Sequence, residues 1–458
     1  MKNLFDREIT FFSLIKVTLP TVIMMVFLSL YTIIDGIFIS RFVGANALSS
    51  TNIVFPVMSL LFAIGIMFAT GGSAIVGKTM GEGNIKKARE QFTFITICAL
   101  VLGSIVGVIC ILFIKPIILA LGATDILYNN CYYYLLIMLI FTPFNILKMY
   151  FDYFLVTAGN AKLGLITAII GGVLNIILDY VFIVLLNMGV SGAALGTCIG
   201  YTVPSIIGLS YFFKKSSLLH FVKTRFDFNL IKNSCLNGSS EMVTQLSSAV
   251  TTFVYNIVMI KLIGPDGVAS ITIILYVQFL LVSVYLGFSS GVAPWISYNY
   301  GKRNEVQLKR VVKYSYLYIL IFSLTSFIIS KTMATTLIGA FAVRGSTVYN
   351  IALNGFNIFS ISFLLSGLNI FTIGMFTAFS NGKVSAIMSF MRTLVLFLIG
   401  ITILPSFFGV NGVWLVVPFS EILTLILGVV FVYKFRYKYM YGNILLRSCS
   451  SRKLNLLD

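Results

Sequence analysis

The sequence predicts an all-α integral membrane protein, with twelve transmembrane helices in two parallel six-helix lobes related by a pseudo-twofold axis along the membrane normal. Three observations carry this reading. The 458 residues are 59% hydrophobic and only 10% charged, and the mean hydropathy of +1.00 lies far outside the soluble range. Apolar runs of about 20 or more residues, parted by polar or Gly/Pro-marked breaks, recur along the whole chain. Short motifs repeat at a nearly constant distance close to half the chain length.

In order, the runs lie near residues 11–40, 52–77, 92–120, 128–157, 162–185, 191–213, 233–262, 268–300, 309–338, 347–379, 384–405 and 411–434. Of the 32 Lys and Arg, all but seven belong to the two chain ends and the even-numbered connections. Arg41, Lys115, Lys261, Lys331 and Arg344 fall in odd-numbered connections, and Lys148 and Arg392 within spans. The positive-inside rule then places both termini in the cytoplasm, in a plasma (inner) membrane protein. The N-terminal MKNLFDREIT carries acids and leads into a long span without a small-residue cleavage site, so it does not read as a signal peptide.

The repeats divide the chain. Gly81-Glu82-Gly83-Asn84 recurs as Gly301-Lys302-Arg303-Asn304, and Gly189-Val190-Ser191-Gly192 as Gly409-Val410-Asn411-Gly412, both 220 residues on. Gly159-Asn160-Ala161-Lys162 matches Ser380-Asn381-Gly382-Lys383 at 221. Each match falls at the same place in the order of spans, which indicates duplication of a six-helix unit. Because six is even, the halves run parallel, and a transport route is expected at their interface. An N-lobe of residues 1–220 and a C-lobe of 221–458 follow, joined by the basic connection Lys214 to Lys232 that holds the lone His220.

Several function classes drop out. A net charge of +18 suits nucleic acid only on a soluble basic face, and no segment is polar enough to provide one. Cys98, Cys110, Cys131, Cys198, Cys235 and Cys449 lack CxxC spacing and read as small membrane hydrophobes. Gly287-Phe288-Ser289-Ser290-Gly291 fits a hydrolase elbow, but it lies in a span far from the single histidine. Gly192, Gly196 and Gly200 form a small-residue stripe for helix packing. No enzyme, cofactor or structural metal is expected, and the protein reads as a monomer.

Five acids fall within spans: Asp35, Asp152, Asp179, Glu241 and Glu421. A central Asp costs roughly 2.5 to 3.5 kcal/mol on translocon scales, so each must be paired, near an interface or facing a polar cavity. Asp152 follows Lys148 by one turn, read as a structural pair near the cytoplasmic end. Glu241 sits in the first turns of its span, where a carboxylate is favoured by the helix dipole. Asp35, Asn175, Asp179 and Thr197 lie on three helices of one half at a common depth in the outer leaflet, and Tyr31 stands one turn before Asp35. Their oxygens could gather round a proton or a hard cation, and two carboxylates brought together in low dielectric titrate as a unit. A polar network that merely glues helices is the competing reading. Pro20, fifteen residues before Asp35, removes a backbone donor and can bend the first span. Arg392 and Glu421 lie at matched depth on adjacent antiparallel spans, which predicts a salt bridge. The alternative is that Glu421 faces the cleft and attracts cationic substrate.

The 6+6 architecture, Pro20 and Asp35, Asn175-x3-Asp179, Thr197 and the Gly-x-x-Asn connections resemble the MATE family of multidrug and toxic-compound extrusion antiporters, in particular its DinF-like and MepA-like branches. The resemblance covers essentially the whole chain. It implies that these N-lobe residues form the coupling site, that the proline-bearing helix bends with the transport state, and that drugs leave through a cleft between lobes. The NorM-like branch carries acids in the C-lobe. The tenth span here, Val348 to Phe379, holds none, so that site is not expected.

The expected function is therefore secondary active export of amphiphilic, often cationic, small molecules in exchange for protons or sodium. Aromatic and Met-rich walls suit varied substrates, with Met24, Met25 and Tyr134 as candidates along the pathway. The rival is a lipid-linked-precursor flippase or other export carrier of the same superfamily, which arginines at the lobe interface would favour. A major-facilitator carrier is opposed by the second connection, GEGNIKKARE, which lacks that fold's Asp/Arg pattern.

Overall fold

The computed structural model describes residues 4–442, so Cys449 lies outside the described residues. Every regular element among the described residues is a helix, without a strand. Eleven helices are long and apolar enough to cross a membrane, and a bent pair makes the twelfth span. The first six are Phe11–Val43, Asn46–Gly81, Ile85–Leu112, the pair Asp125–Ile140 and Thr142–Thr157, Ala161–Leu185 and Gly189–Phe213. The second six are Phe228–Leu262, Pro265–Gly301, Glu305–Thr332, Thr347–Ala378, Gly382–Phe408 and Val410–Phe435.

The third and ninth spans are shorter than their apolar runs suggest. They stop at Leu112 and Thr332, and short helices Ile114–Ala120 and Ala334–Gly339 turn away. The joints Phe113 (φ −107°, ψ 21°) and Met333 (φ −107°, ψ 15°) share one backbone geometry 220 residues apart. The fourth span bends by 61° after Ile140, where Pro143 opens the next helix and cannot continue the previous one. Its counterpart, the tenth span, passes through a 3₁₀ turn at Ser360–Ser362. The duplication thus extends to the places where helices break.

The repeated Gly-x-x-Asn motif has two jobs. Its asparagine caps the following helix, Asn84 accepting from the Lys87 amide and Asn304 from that of Gln307. Its first glycine closes the lobe interface. A Cβ on Gly81 would lie 1.9 Å from the Tyr298 carbonyl oxygen, and one on Gly301 would lie 2.0 Å from that of Lys78. These contacts are mates under the 220-residue repeat. Gly77 meets its own mate, Ser297, at 2.3 Å, so the twofold axis passes between them. Gly71 and Gly238 cross with equal intimacy. All of these approaches sit in the half of the interface nearest the chain ends, so the lobes are closed on that face.

Residues before the first span cross the interface as well. Phe5 packs edge-on against Trp295 at 5.1 Å, Asp6 pairs with Lys302 at 2.5 Å and accepts from the Tyr298 hydroxyl, Glu8 pairs with Arg310, and the Ile9 amide donates to Gln307. The hydrogen bond from Lys302 holds the Asp6 carboxyl below its ordinary range against the opposing effect of desolvation, with help from Tyr298 and the lysine's charge. The contribution of that pair is therefore present above the ordinary carboxylate range and fades as pH falls through the depressed value. Phe5→Ala should release this segment at a cost of about 3 kcal/mol. Faster amide hydrogen exchange over residues 4–10 would report it, and unchanged protection would refute the docking.

At the other end, Tyr439 stacks on Phe379 at 4.6 Å, and the Tyr441 hydroxyl donates to the Val432 carbonyl. Tyr433 and Tyr437, clasping Arg436, stay on the surface with Lys434 and Lys438. In the connection between halves, His220 Nδ1 lies 3.1 Å from the Ser217 carbonyl oxygen, a local contact.

Candidate functional site

Within the first lobe, the fifth and sixth spans approach through glycines. A Cβ on Gly200 would meet the Gly171 carbonyl oxygen at 3.0 Å, and one on Gly196 would meet Asp179 Oδ1 at 2.4 Å. The stripe Gly192, Gly196, Gly200 therefore brings backbone against the polar face of the fifth span. There the Asn175 amide donates to the Thr197 hydroxyl at 3.4 Å. The first span packs on the fifth and adds Asp35, whose carboxyl interacts with that of Asp179. The structure thus brings Asp35, Asn175, Asp179 and Thr197 together.

Asp179 is 0% exposed. Neither of its oxygens finds a protein donor, and neither do Asn175 Oδ1 and Asp35 Oδ1. Four buried oxygens without donors would be costly if left so. A shared proton between the carboxyls, or a hard cation taking oxygen ligands, would satisfy them. The donor set fits either ion and offers nothing to a soft metal.

Two features of this site were not legible in the sequence. The first and fifth spans both pass into π-helical segments just beyond their aspartates, Ile39–Val43 and Tyr180–Leu185, which touch one another. A third π-helical segment, Met391–Val395, carries Arg392. Such segments offset side chains from the regular helical register, often at functional sites. The second feature is an inner extension. Tyr31 donates to the Tyr201 hydroxyl at 3.0 Å, and the Tyr201 ring lies 5.3 Å from the Lys148 ammonium, which pairs with Asp152 at 2.7 Å. Lys148 stands about 14 Å from the end of its helix at Thr157, and both members of the pair are buried. Tyr134 also belongs here, since both aspartates act on it electrostatically.

Other candidates fall elsewhere. Met24 is 1% exposed with its sulfur against Gly164, so it packs helices and lines no cleft, while Met25 stays half-buried. Pro20 lies inside the continuous helix Phe11–Phe38, where it borders a shallow groove with Leu19, Ile23 and Leu165. Glu421 does not face a cleft. It accepts from Arg392 Nη2 at 2.7 Å, from Ser366 at 2.9 Å and from Asn369 at 2.6 Å. Glu241 lines a small cavity between the lobes, with Tyr153 and the hydroxyls of Thr70, Ser73, Ser289 and Thr377.

Twelve spans in two lobes about a twofold axis, with donorless carboxylates in one lobe and a polar cavity between lobes, define a polytopic membrane transporter. The MatE family profile matches residues 20–181 and 242–402, one stretch in each half. The chain belongs to the MATE family, and within it to the MepA-like type. It is 26% identical to the multidrug export protein MepA of Staphylococcus saprophyticus over 90% of this chain and 89% of that one. Against MepA of Staphylococcus haemolyticus it is 26% identical over 94% and 95%. Among solved structures, it shares its fold with an outward-facing multidrug resistance MATE family transporter of the MOP superfamily. That likeness has a TM-score of 0.88 and 22% identity over 93% of this chain and 96% of that one. A MOP superfamily transporter from Pyrococcus furiosus superposes with a TM-score of 0.87 at 22% identity, over 93% and 96%.

Proposed function

We propose that this protein exports amphiphilic, often cationic, organic molecules across the plasma membrane in exchange for protons or sodium, with both termini cytoplasmic. The single observation that carries the coupling step is the set of four buried, donorless oxygens on Asp35, Asn175 and Asp179. A cation entering there neutralises two carboxylates that otherwise repel. Its departure restores that repulsion and can work against the helix contacts made by the first and fifth spans. The relatives' names as multidrug export proteins support the cargo. With the two lobes closed on one face, the cavity at Glu241 is far smaller than an organic ligand needs, so loading there requires the lobes to part. The flippase alternative is disfavoured because Arg392, the one arginine well inside a span, is committed to Glu421 within the C-lobe.

Everted membrane vesicles test this reading. Ethidium or a fluoroquinolone should accumulate when an inward-acidic or inward-sodium gradient is imposed, and collapse of that gradient should release it. Accumulation that ignores both gradients would reject antiport, and transport of a lipid-linked precursor in its place would favour the flippase.

A further inference from the structure

Among the described residues two ion pairs are buried within spans, and they differ in what surrounds them. Arg392–Glu421 is closed off by Ser366 and Asn369. Lys148–Asp152 has a single hydrogen bond at 2.7 Å, with side chains only 3% and 7% exposed. Lys148 also lies against the ring of Tyr201, whose hydroxyl receives that of Tyr31, one turn from Asp35. A buried ion pair gains little stability over an apolar pair of similar volume. Its position, against the ring of Tyr201 and so one hydroxyl bond from Tyr31, a turn before Asp35, gives it a use.

We propose that Lys148 and Asp152 are positioning residues that set the affinity of the Asp35–Asp179 site for its coupling cation, acting through Tyr201 and Tyr31. The inference rests on the coupling reading above. The charges of Asp35 and Asp152 both act on Tyr31, and those of Lys148, Asp35 and Asp152 on Tyr201, so the two sites share one electrostatic neighbourhood. Other titratable side chains in this neighbourhood include Tyr134 and Tyr153 on the fourth span, Cys198 on the sixth and, beyond Tyr153, Glu241 on the seventh. An intact Lys–Asp pair presents a dipole to the cation site. Removing one member leaves a monopole, whose field in a weakly screening interior reaches further.

The sign of the effect is therefore fixed. In proteoliposomes holding the full-length protein, the half-saturating concentration of the coupling cation for driven efflux should fall about threefold or more in Lys148→Gln, because Asp152 is left to attract it. It should rise by a similar factor in Asp152→Asn and return near the native value in the double variant. A purely structural pair would change yield or maximal rate without opposite shifts in half-saturation. Unmoved or same-direction shifts in the single variants overturn the proposal. If the single variants do not accumulate, Tyr201→Phe decides, because it keeps the ion pair and the packing but removes the acceptor of the Tyr31 hydroxyl. A shifted half-saturation supports the relay, and an unchanged one overturns it. Gradient-driven transport surviving Asp35→Asn and Asp179→Asn would fail the coupling reading itself. Transport lost in those variants, with the Lys148 series unmoved, would fail this inference alone.

Discussion

Asp35→Asn or Asp179→Asn is expected to reduce gradient-driven efflux to the passive leak while the protein still reaches the membrane. Asparagine matches aspartate in shape, so the contact of Gly196 with residue 179 and the packing of the fifth and sixth spans persist. What changes is charge. A neutral amide neither gives up nor takes a proton in the working range, and it removes the negative charge that makes a hard cation stable among the oxygens of Asn175 and Thr197. Because two interacting carboxyls buried side by side share their charge state, losing either should be as severe as losing both. Vesicle efflux under imposed gradients measures this, with membrane content checked in parallel. Full transport by either variant would sink the idea.

Neutralising one member of the Arg392–Glu421 pair should lower folded yield far more than neutralising both. Arg392 contacts Glu421 through Nε at 3.0 and 3.1 Å and through Nη2 at 2.7 Å, and the carboxylate is 2% exposed. Glu421→Gln leaves a guanidinium without its anion inside a lobe, at a cost of about 3 to 5 kcal/mol, comparable to a large share of a domain's stability. Arg392→Gln leaves the carboxylate with only Ser366 and Asn369 as donors. The double variant buries no net charge and should recover most of the yield. Detergent-extracted yield and thermal midpoint give the comparison. A well-expressed Glu421→Gln that loses only cationic substrates would move Glu421 from the scaffold to the substrate path.

The pair was legible because depth in a membrane is a one-dimensional quantity: each helical residue rises about 1.5 Å, so positions counted from span ends can be matched across helices. The same counting placed Asp35, Asn175, Asp179 and Thr197 at one level. It also set Lys148 and Asp152 one turn apart on one helix, where they pair, but could not show that the Tyr201 ring lies against the lysine. For Met24 it left cleft wall and packed core both open, because counting does not say which way a side chain faces, and the structure has it in the core. Tyr201 escaped notice for a related reason, since one tyrosine among 23 carries no signal until its neighbours are known.

By itself, the sequence determined the class of the protein, its twelve spans, its duplication and the depths of its charges. These follow from hydropathy, helical rise and a repeat of 220 residues, none of which needs a neighbour to be specified. Tertiary structure alone decided which faces meet. It set the glycine crossings that shut one side of the lobe interface, the π-helical segments beside Asp35, Asp179 and Arg392, and the Tyr31–Tyr201 contact beside Lys148. The physical reason is that the angle at which a residue leaves its helix becomes meaningful only against a partner helix. In a membrane, where lipid is as apolar as the side chains, close packing and polar contacts between helices set that angle.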